Sequence, residues 1–375
     1  MDFINLIIHV VFWVMGFLFL FRIPHCETGK GETSSYPYVS VIIPARNEEK
    51  SLPILLASLR DQHSLASEVI TVVSQSEDRT REIAEEADVR TIESEPMPEG
   101  WVGKSWTCYQ GALTAKGELL IFLDSDTFLE KDGLEKIVAA CTENDGVVSI
   151  QPYHRTKRLY EQLSAFFNIV MMGAMGTFTV LASRMKPIGL FGPCIAMRKK
   201  HYFESGGHSE VRGEVVEDLA LGEKFRRQKI PIHCYGGKGT ISFRMYPNGI
   251  RELVDGWSKG FAAGAAKTYL PILLAVVAWI GGGMGATIYF IEALFDVKTF
   301  YILTWASLYL GYVAQIYWML CRIGTFKFYT AVFYPVSLLF FLIIFLRSFF
   351  VIFIRRSVRW KGVTISLQKD KALEE

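Results

Sequence analysis

Hydrophobic positions along this chain change their period from one stretch to the next, and the changes divide it. Phe3 to Phe21 is one apolar run with Asp2 before it and Arg22 after it, about the length a membrane-spanning helix needs. Its positive charge follows the run instead of preceding it, and the residues at its end are bulky. This predicts an uncleaved anchor over residues 1–23 whose C-terminal end faces the cytoplasm. Residues 24–38 are polar and rich in Gly, Ser and Thr, the composition of a linker. From Val39 short apolar runs alternate with amphipathic stretches: Val39 to Ile43, Glu49 to Asp61, Val69 to Ser74, Asp78 to Ala87, Trp106 to Ala115 and Leu119 to Leu123. Strand and helix in alternation predict right-handed crossovers and a mostly parallel sheet, an α/β nucleotide-binding unit within residues 39–268. The Gly- and Met-rich stretch Phe166 to Ala182 reads as an interfacial helix, with a short span or buried core as alternatives.

Beyond Tyr269 the apolar blocks Leu270 to Ile291, Thr299 to Leu320 and Phe328 to Ile354 predict membrane segments over residues 269–354. The tail, 355–375, carries Arg355, Arg356, Arg359 and Lys361 and belongs in the cytoplasm by its positive charge. An anchor ending inside, followed by three full crossings, would leave that tail outside. One block must therefore be re-entrant or interfacial, or the Phe166 to Ala182 stretch must cross. The expectation is a multi-pass protein of the cell membrane with its α/β unit in the cytoplasm.

Composition agrees. Half the residues are hydrophobic and the net charge is +2, which excludes the basic footprint of a nucleic-acid binder. The six cysteines form no Cys-x-x-Cys pair, so neither a zinc site nor a disulfide framework is indicated.

Candidate chemistry gathers at strand ends. Pro44, Ala45, Arg46, Asn47 and Glu48 close the first strand, the edge where ligands sit in open α/β sheets. Asp124-Ser125-Asp126 follows the strand Leu119 to Leu123. Two carboxylates spaced by one residue can hold a divalent cation that neutralises a diphosphate; a solvated turn or helix cap is the alternative. Glu217 and Asp218 open a helical pattern and are candidate catalytic residues, Asp218 as general base, unless they serve only the helix dipole. Gly100-Trp101-Val102-Gly103-Lys104-Ser105-Trp106 offers a lysine for phosphate, without the spacing of a P-loop. His154, His201, His208 and His233 are scattered and read as surface or core residues.

Together these residues resemble the family 2 glycosyltransferases of GT-A fold over roughly Val39 to Lys259. The likeness rests on Pro44 to Glu48, Asp124-Ser125-Asp126 and Glu217-Asp218. Within that family the chain is most similar to the diaponeurosporenoate glycosyltransferases of staphyloxanthin-type carotenoid synthesis. Gly103-Lys104-Ser105 with Cys108 to Gly111 carries this, with Gln151 to His154, Thr156 to Arg158, Phe243 to Tyr246 and Gly256 to Gly260. The resemblance implies a GT-A nucleotide-sugar-binding fold between an N-terminal membrane anchor and C-terminal transmembrane helices. It further implies a divalent cation, Mg or Mn, held by Asp124 and Asp126. Pro44, Ala45, Asn47, Glu48, Asp78, Lys104 and Asp124 would meet a UDP-sugar donor. The implied reaction is inverting transfer of a hexose, from UDP-glucose, to a lipid-like terpenoid such as a carotenoid acid. A hydroxylated lipid or polyprenyl acceptor is the alternative, and an inactive membrane scaffold of the same fold a further one. Where many relatives carry an Asp-Asp-Gly-Ser-type turn, this chain has Val73-Ser74-Gln75-Ser76-Glu77-Asp78. No Gln-x-x-Arg-Trp-type run lies between Leu221 and Lys259, which excludes a processive polysaccharide synthase.

Overall fold

The computed structural model describes residues 3–29, 37–62, 66–214, 216–258, 261–295, 299–350, 357–360 and 363–366. Strands β1 (Val39–Ala45), β2 (Glu68–Val73), β3 (Arg90–Glu93) and β4 (Leu119–Leu123) are joined by helices Leu52–Arg60, Thr80–Glu86 and Gly103–Thr114. In β1 and β4 all positions but Pro44 are buried, as strands covered by helices on both faces must be. β2 and β4 flank β1 in parallel, so the chain runs outward to β3 and then returns to the other side of β1. The crevice between the carboxyl ends of β1 and β4 is the switch point where such sheets bind ligands.

Two details depart from the sequence-based expectation. β1 does not stop at Pro44: its ladder with β2 runs to Ala45, while the ladder with β4 ends at Ile42, because proline has no N–H to donate. The second half of the sheet is mixed. β8 (Cys194–Arg198) inserts antiparallel between β4 and β6 (Val147–Gln151), and β9 (Ile232–Gly236) pairs parallel with β6. A smaller sheet joins β5 (Thr127–Leu129), β10 (Ile241–Phe243) and β7 (Tyr153–His154).

Helix Ala165–Ala174 is not interfacial. All but Met171 and Ala174 are buried, with Phe167 stacked on Trp257 at 4.7 Å between ring centroids and Phe166 5.6 Å from Trp279. Burying each such phenylalanine contributes about 1.5–3 kcal/mol, so the stretch serves as core between the α/β unit and the C-terminal helices. Those helices are Leu270–Phe295, Thr299–Ile323, Phe328–Val332 and Tyr334–Phe349. The N-terminal helix Phe3–Met15 packs along Leu270–Phe295. Buried Gln315 ties the bundle together, accepting from the Trp279 indole at 2.7 Å and donating to the Trp13 carbonyl at 2.8 Å.

Among the described residues one helix, Leu270–Phe295, is long and apolar enough to cross a membrane; Phe3–Leu18 and Tyr334–Phe349 are shorter apolar helices. The block read as Phe328 to Ile354 is not one span. It breaks at Phe333, before Pro335, and both its ends rest on the α/β unit. Lys327 N–H donates to Gln162 at 3.0 Å, and Arg347 pairs with Asp255 at 2.9 Å. Its turn reaches midway along the long helices, where the Tyr334 hydroxyl meets the Gly283 carbonyl at 2.9 Å and that of Tyr309 meets the Val332 carbonyl at 2.6 Å. The block is thus a helical hairpin whose two ends lie together on the α/β unit. The loop before it is stitched to β7: Thr325 N–H donates to the His154 carbonyl at 2.8 Å, and the Tyr153 hydroxyl to the Gly324 carbonyl at 2.7 Å. Of the basic tail, Ser357–Trp360 pairs with Val363–Ser366, while Arg355, Arg356 and Lys361 lie outside the described residues, as do Lys259 and Gly260.

Candidate active site

The turn after β4 delivers the first carboxylate. Asp124 N–H donates to the Pro193 carbonyl at 3.0 Å, and Thr127 caps the Asp124 carbonyl through both its N–H (3.1 Å) and its hydroxyl (2.7 Å). That tight turn swings Asp126 to the start of β5. Lys104, in the first turn of helix Gly103–Thr114, reaches across with Nζ 2.8 Å from Asp124 and 3.3 Å from Glu217. Burial acts to lower the Lys104 pKa, but Asp124, Glu217 and Asp218 outweigh it and hold the ammonium protonated. Glu217 and Asp218 occupy the first turn of helix Glu217–Arg227. Burial, reinforced by the neighbouring Glu217 carboxylate, raises Asp218 to about 7. Three candidate acids and one lysine, spread over more than a hundred residues of sequence, thus share one cluster.

The loop after β1 is built differently. Asn47 takes a left-handed backbone, φ 54°, and its side-chain oxygen accepts from Glu77 N–H at 2.9 Å, while Glu48 N–H donates to Thr80 at 2.7 Å. Asp78 accepts from Glu49 N–H at 3.1 Å and from Thr80 N–H at 3.0 Å. Burial opposes but these hydrogen bonds prevail, so its carboxyl titrates below the usual range. Asn47 and Asp78 therefore stitch the β1 and β2 loops together, and Asp78 accepts the N–H of Thr80, the first residue of helix Thr80–Glu86. Of this loop, Pro44 reaches the wall of the small chamber that Lys104, Asp124, Glu217 and Asp218 share; Ala45 is buried at the end of β1.

A larger cavity, about 310 Å³, opens from Asp124 and Asp218. Its walls are largely apolar: Met171, Met175 and Phe261 line it, together with Leu273 and Val276 of the long apolar helix. Two carboxylates and a largely apolar lining thus share one space.

Residues 40–207 match the family described as Glycosyl transferase family 2. A 4,4'-diaponeurosporenoate glycosyltransferase of Staphylococcus aureus (strain USA300) is 32% identical over 356 residues, 94% of each chain. One of Staphylococcus haemolyticus (strain JCSC1435) is 35% identical over 344 residues, 90% of this chain and 91% of that protein. The chain is a family 2 glycosyltransferase. As to fold, the mannosyltransferase PcManGT from Pyrobaculum calidifontis, solved with GDP-Man and Mn2+, superposes with a TM-score of 0.52 at 15% identity, covering 90% of this chain and 94% of that one. The family 2 glycosyltransferase described here thus has an α/β GT-A fold.

Among the described residues of this glycosyltransferase no three His, Cys, Asp or Glu side chains converge as metal ligands. The Asp124 carboxyl, about a quarter exposed at the strand end, and the Asp126 carboxyl in the same turn are hard oxygen donors. One or two carboxylates completed by phosphate oxygens and water is the pattern of magnesium sites, so the residues fit a divalent cation.

Sequence reasoning missed Gly192. A Cβ there would lie against an Asp218 carboxylate oxygen, so only glycine lets the β8-side loop close on that acid. Gly192→Ala is expected to reduce transfer by at least about tenfold, since overpacking costs about 1–3 kcal/mol and here falls on the cluster. Turnover and melting temperature measured together check this; unchanged turnover would show that the contact does not matter.

Proposed function

We propose that this family 2 glycosyltransferase moves glucose from UDP-glucose onto the carboxylate of a carotenoid acid such as 4,4'-diaponeurosporenoate. The displacement is single and inverting, at the cytoplasmic face of the membrane. The observation that carries this reading is the cavity of about 310 Å³ whose largely apolar lining, Leu273 and Val276 included, also takes in the carboxylates Asp124 and Asp218. A long apolar acceptor with one polar end matches it, and the carotenoid acid named for the relatives is such a molecule.

The donor diphosphate would lie against Lys104, whose fixed positive charge binds and orients it. Pro44, Ala45 and Glu48 would line the nucleotide pocket, with Asn47 and Asp78 shaping it from behind. Asp124 and Asp126 would hold a divalent cation, Mg or Mn, which supplies charge neutralisation for the diphosphate when bound. The apolar lining excludes water from the reacting end. A carotenoid carboxylate is already ionised at neutral pH. Asp218, raised to about 7, is partly protonated there and can donate a hydrogen bond that holds the acceptor instead of repelling it. The same raised pKa favours a second reading, in which Asp218 as a base deprotonates a hydroxylated lipid.

In the membrane, residues 1–23 and the helices Leu270–Phe295 and Thr299–Ile323 would cross, and the hairpin from Phe328 to Phe349 would dip in and return. Both ends of that hairpin lie on the α/β unit, residues 39–268, so the basic tail stays cytoplasmic and the charge rule is met.

Purified protein in detergent, given UDP-glucose, manganese and the carotenoid acid, is expected to yield an ester one hexose heavier by mass spectrometry. Hexose gain by a hydroxylated polyprenoid alone would establish the second reading. No product from either acceptor would overturn both.

A further inference from the structure

Behind the acid cluster sits a histidine that the reaction as described does not use. We infer that His208 is a neutral hydrogen-bond donor and a positioning residue for the cluster. Its Nε2–H faces the chamber of Lys104, Asp124, Glu217 and Asp218, with Tyr202 fixing which ring nitrogen carries the proton.

The tautomer follows from counting protons. Tyr202, in helix Lys199–Glu204, is fully buried and His208 is 3% exposed. The Tyr202 oxygen accepts the His208 backbone N–H at 3.3 Å and lies 2.9 Å from His208 Nδ1. A buried phenol has one proton to place, and leaving it unpaired costs about 1–3 kcal/mol. With its oxygen already accepting from the backbone, the hydroxyl donates to Nδ1. Nδ1 is then an acceptor, and the ring proton belongs to Nε2. Gly207 makes the pairing possible: its φ is +55°, and a Cβ there would sit inside the Tyr202 ring.

The imidazole is also kept neutral. Burial is the larger cause and the Lys104 charge adds to it, which together lower its pKa to about 3. The ring packs edge-to-face with Phe122, at 5.2 Å between centroids. His208 itself lines the chamber, whose other polar walls are Lys104, Asp124, Glu217 and Asp218; with Nδ1 taken by Tyr202, Nε2–H is the polar group the ring has left to offer it. The chamber, about 10 Å³, has room for roughly one water to carry the hydrogen bond from Nε2–H to a carboxylate. Three carboxylates around a single ammonium are short of donors, and a neutral N–H adds one without adding charge.

Two measurements test the inference. In protein labelled with 15N-histidine, His208 is assigned by the signals that vanish in His208→Gln. At pH 7 those signals are expected to show the Nε2–H tautomer; an Nδ1–H tautomer or an imidazolium overturns the proposal. The kinetic measurement rests on the transferase reading above. His208→Phe keeps the ring volume and is expected to slow transfer about tenfold, the scale of one hydrogen bond to a charged group. His208→Gln keeps a side-chain N–H and is expected to recover most of that loss. Equal rates for the two variants overturn the positioning role. If the wild type transfers no sugar at all, the transferase reading has failed, and the tautomer measurement still decides the placement of the proton.

Discussion

Asp126→Ala is expected to abolish sugar transfer while the protein remains folded in detergent. Asp124 and Asp126 lie on one turn between β4 and β5, outside the buried ladder, and on the proposed reading their carboxylates would be the oxygen ligands for a cation. Removing such a preorganised electrostatic partner costs on the order of 10² to 10³ in rate. Asp124→Ala is expected to be severe but less so: Lys104 keeps a second carboxylate, Glu217, at 3.3 Å. Turnover measured across a manganese titration, with melting temperature as the folding control, reads both effects. Near-normal turnover in Asp126→Ala that still requires metal would remove this turn from the mechanism.

Asp218→Asn decides between the acceptor types. For a hydroxyl acceptor the base must take a proton, and losing it costs on the order of 10² to 10⁴ in rate. For a carotenoid carboxylate the loss is expected to be much smaller, because asparagine can still donate a hydrogen bond. The pH profile carries opposite signs. Asp218, raised to about 7 by burial and Glu217, must be ionised to act as a base, so a hydroxyl reaction should accelerate as pH rises through about 7. It must be protonated to hold a carboxylate, so esterification should slow over the same range. Rates with both acceptors at saturating donor give the comparison. A wild-type rate on every acceptor would make Asp218 a helix-start residue and nothing more.

Much of this was legible in the sequence where the signal is local. The runs Val39 to Ile43 and Leu119 to Leu123 read as strands because they are short, β-branched or bulky, and bounded by polar residues. Asp124, Asp126, Glu217 and Asp218 were visible because each follows such a run or opens a helix. The rest depends on who faces whom. Nothing in Cys194 to Arg198 announces a strand that runs against its neighbours. Gly192 matters only through Asp218 opposite it. Asp78 kept its acidity in the sequence but spends its oxygens on Thr80 and Glu49. The helix Ala165–Ala174 misled because a segment apolar all round fits a membrane surface and a protein interior equally well. Pro335 was the available clue that the last apolar block turns back.

The seam between β7 and the loop at Thr325 also bears on modularity. Gln162 receives both Lys327 N–H and the Thr330 hydroxyl, and Thr156 is bonded to Thr325; beneath them Phe166 and Phe167 lie fully inside the shared hydrophobic core. A chain cut at residue 268 would bare that aromatic face, open one wall of the apolar cavity and leave the edge of β7 without its partner, a template for aggregation. The catalytic half is therefore not an interchangeable cassette on a membrane tether. Its helices are part of the enzyme's interior, and change on either side of the seam must be matched on the other.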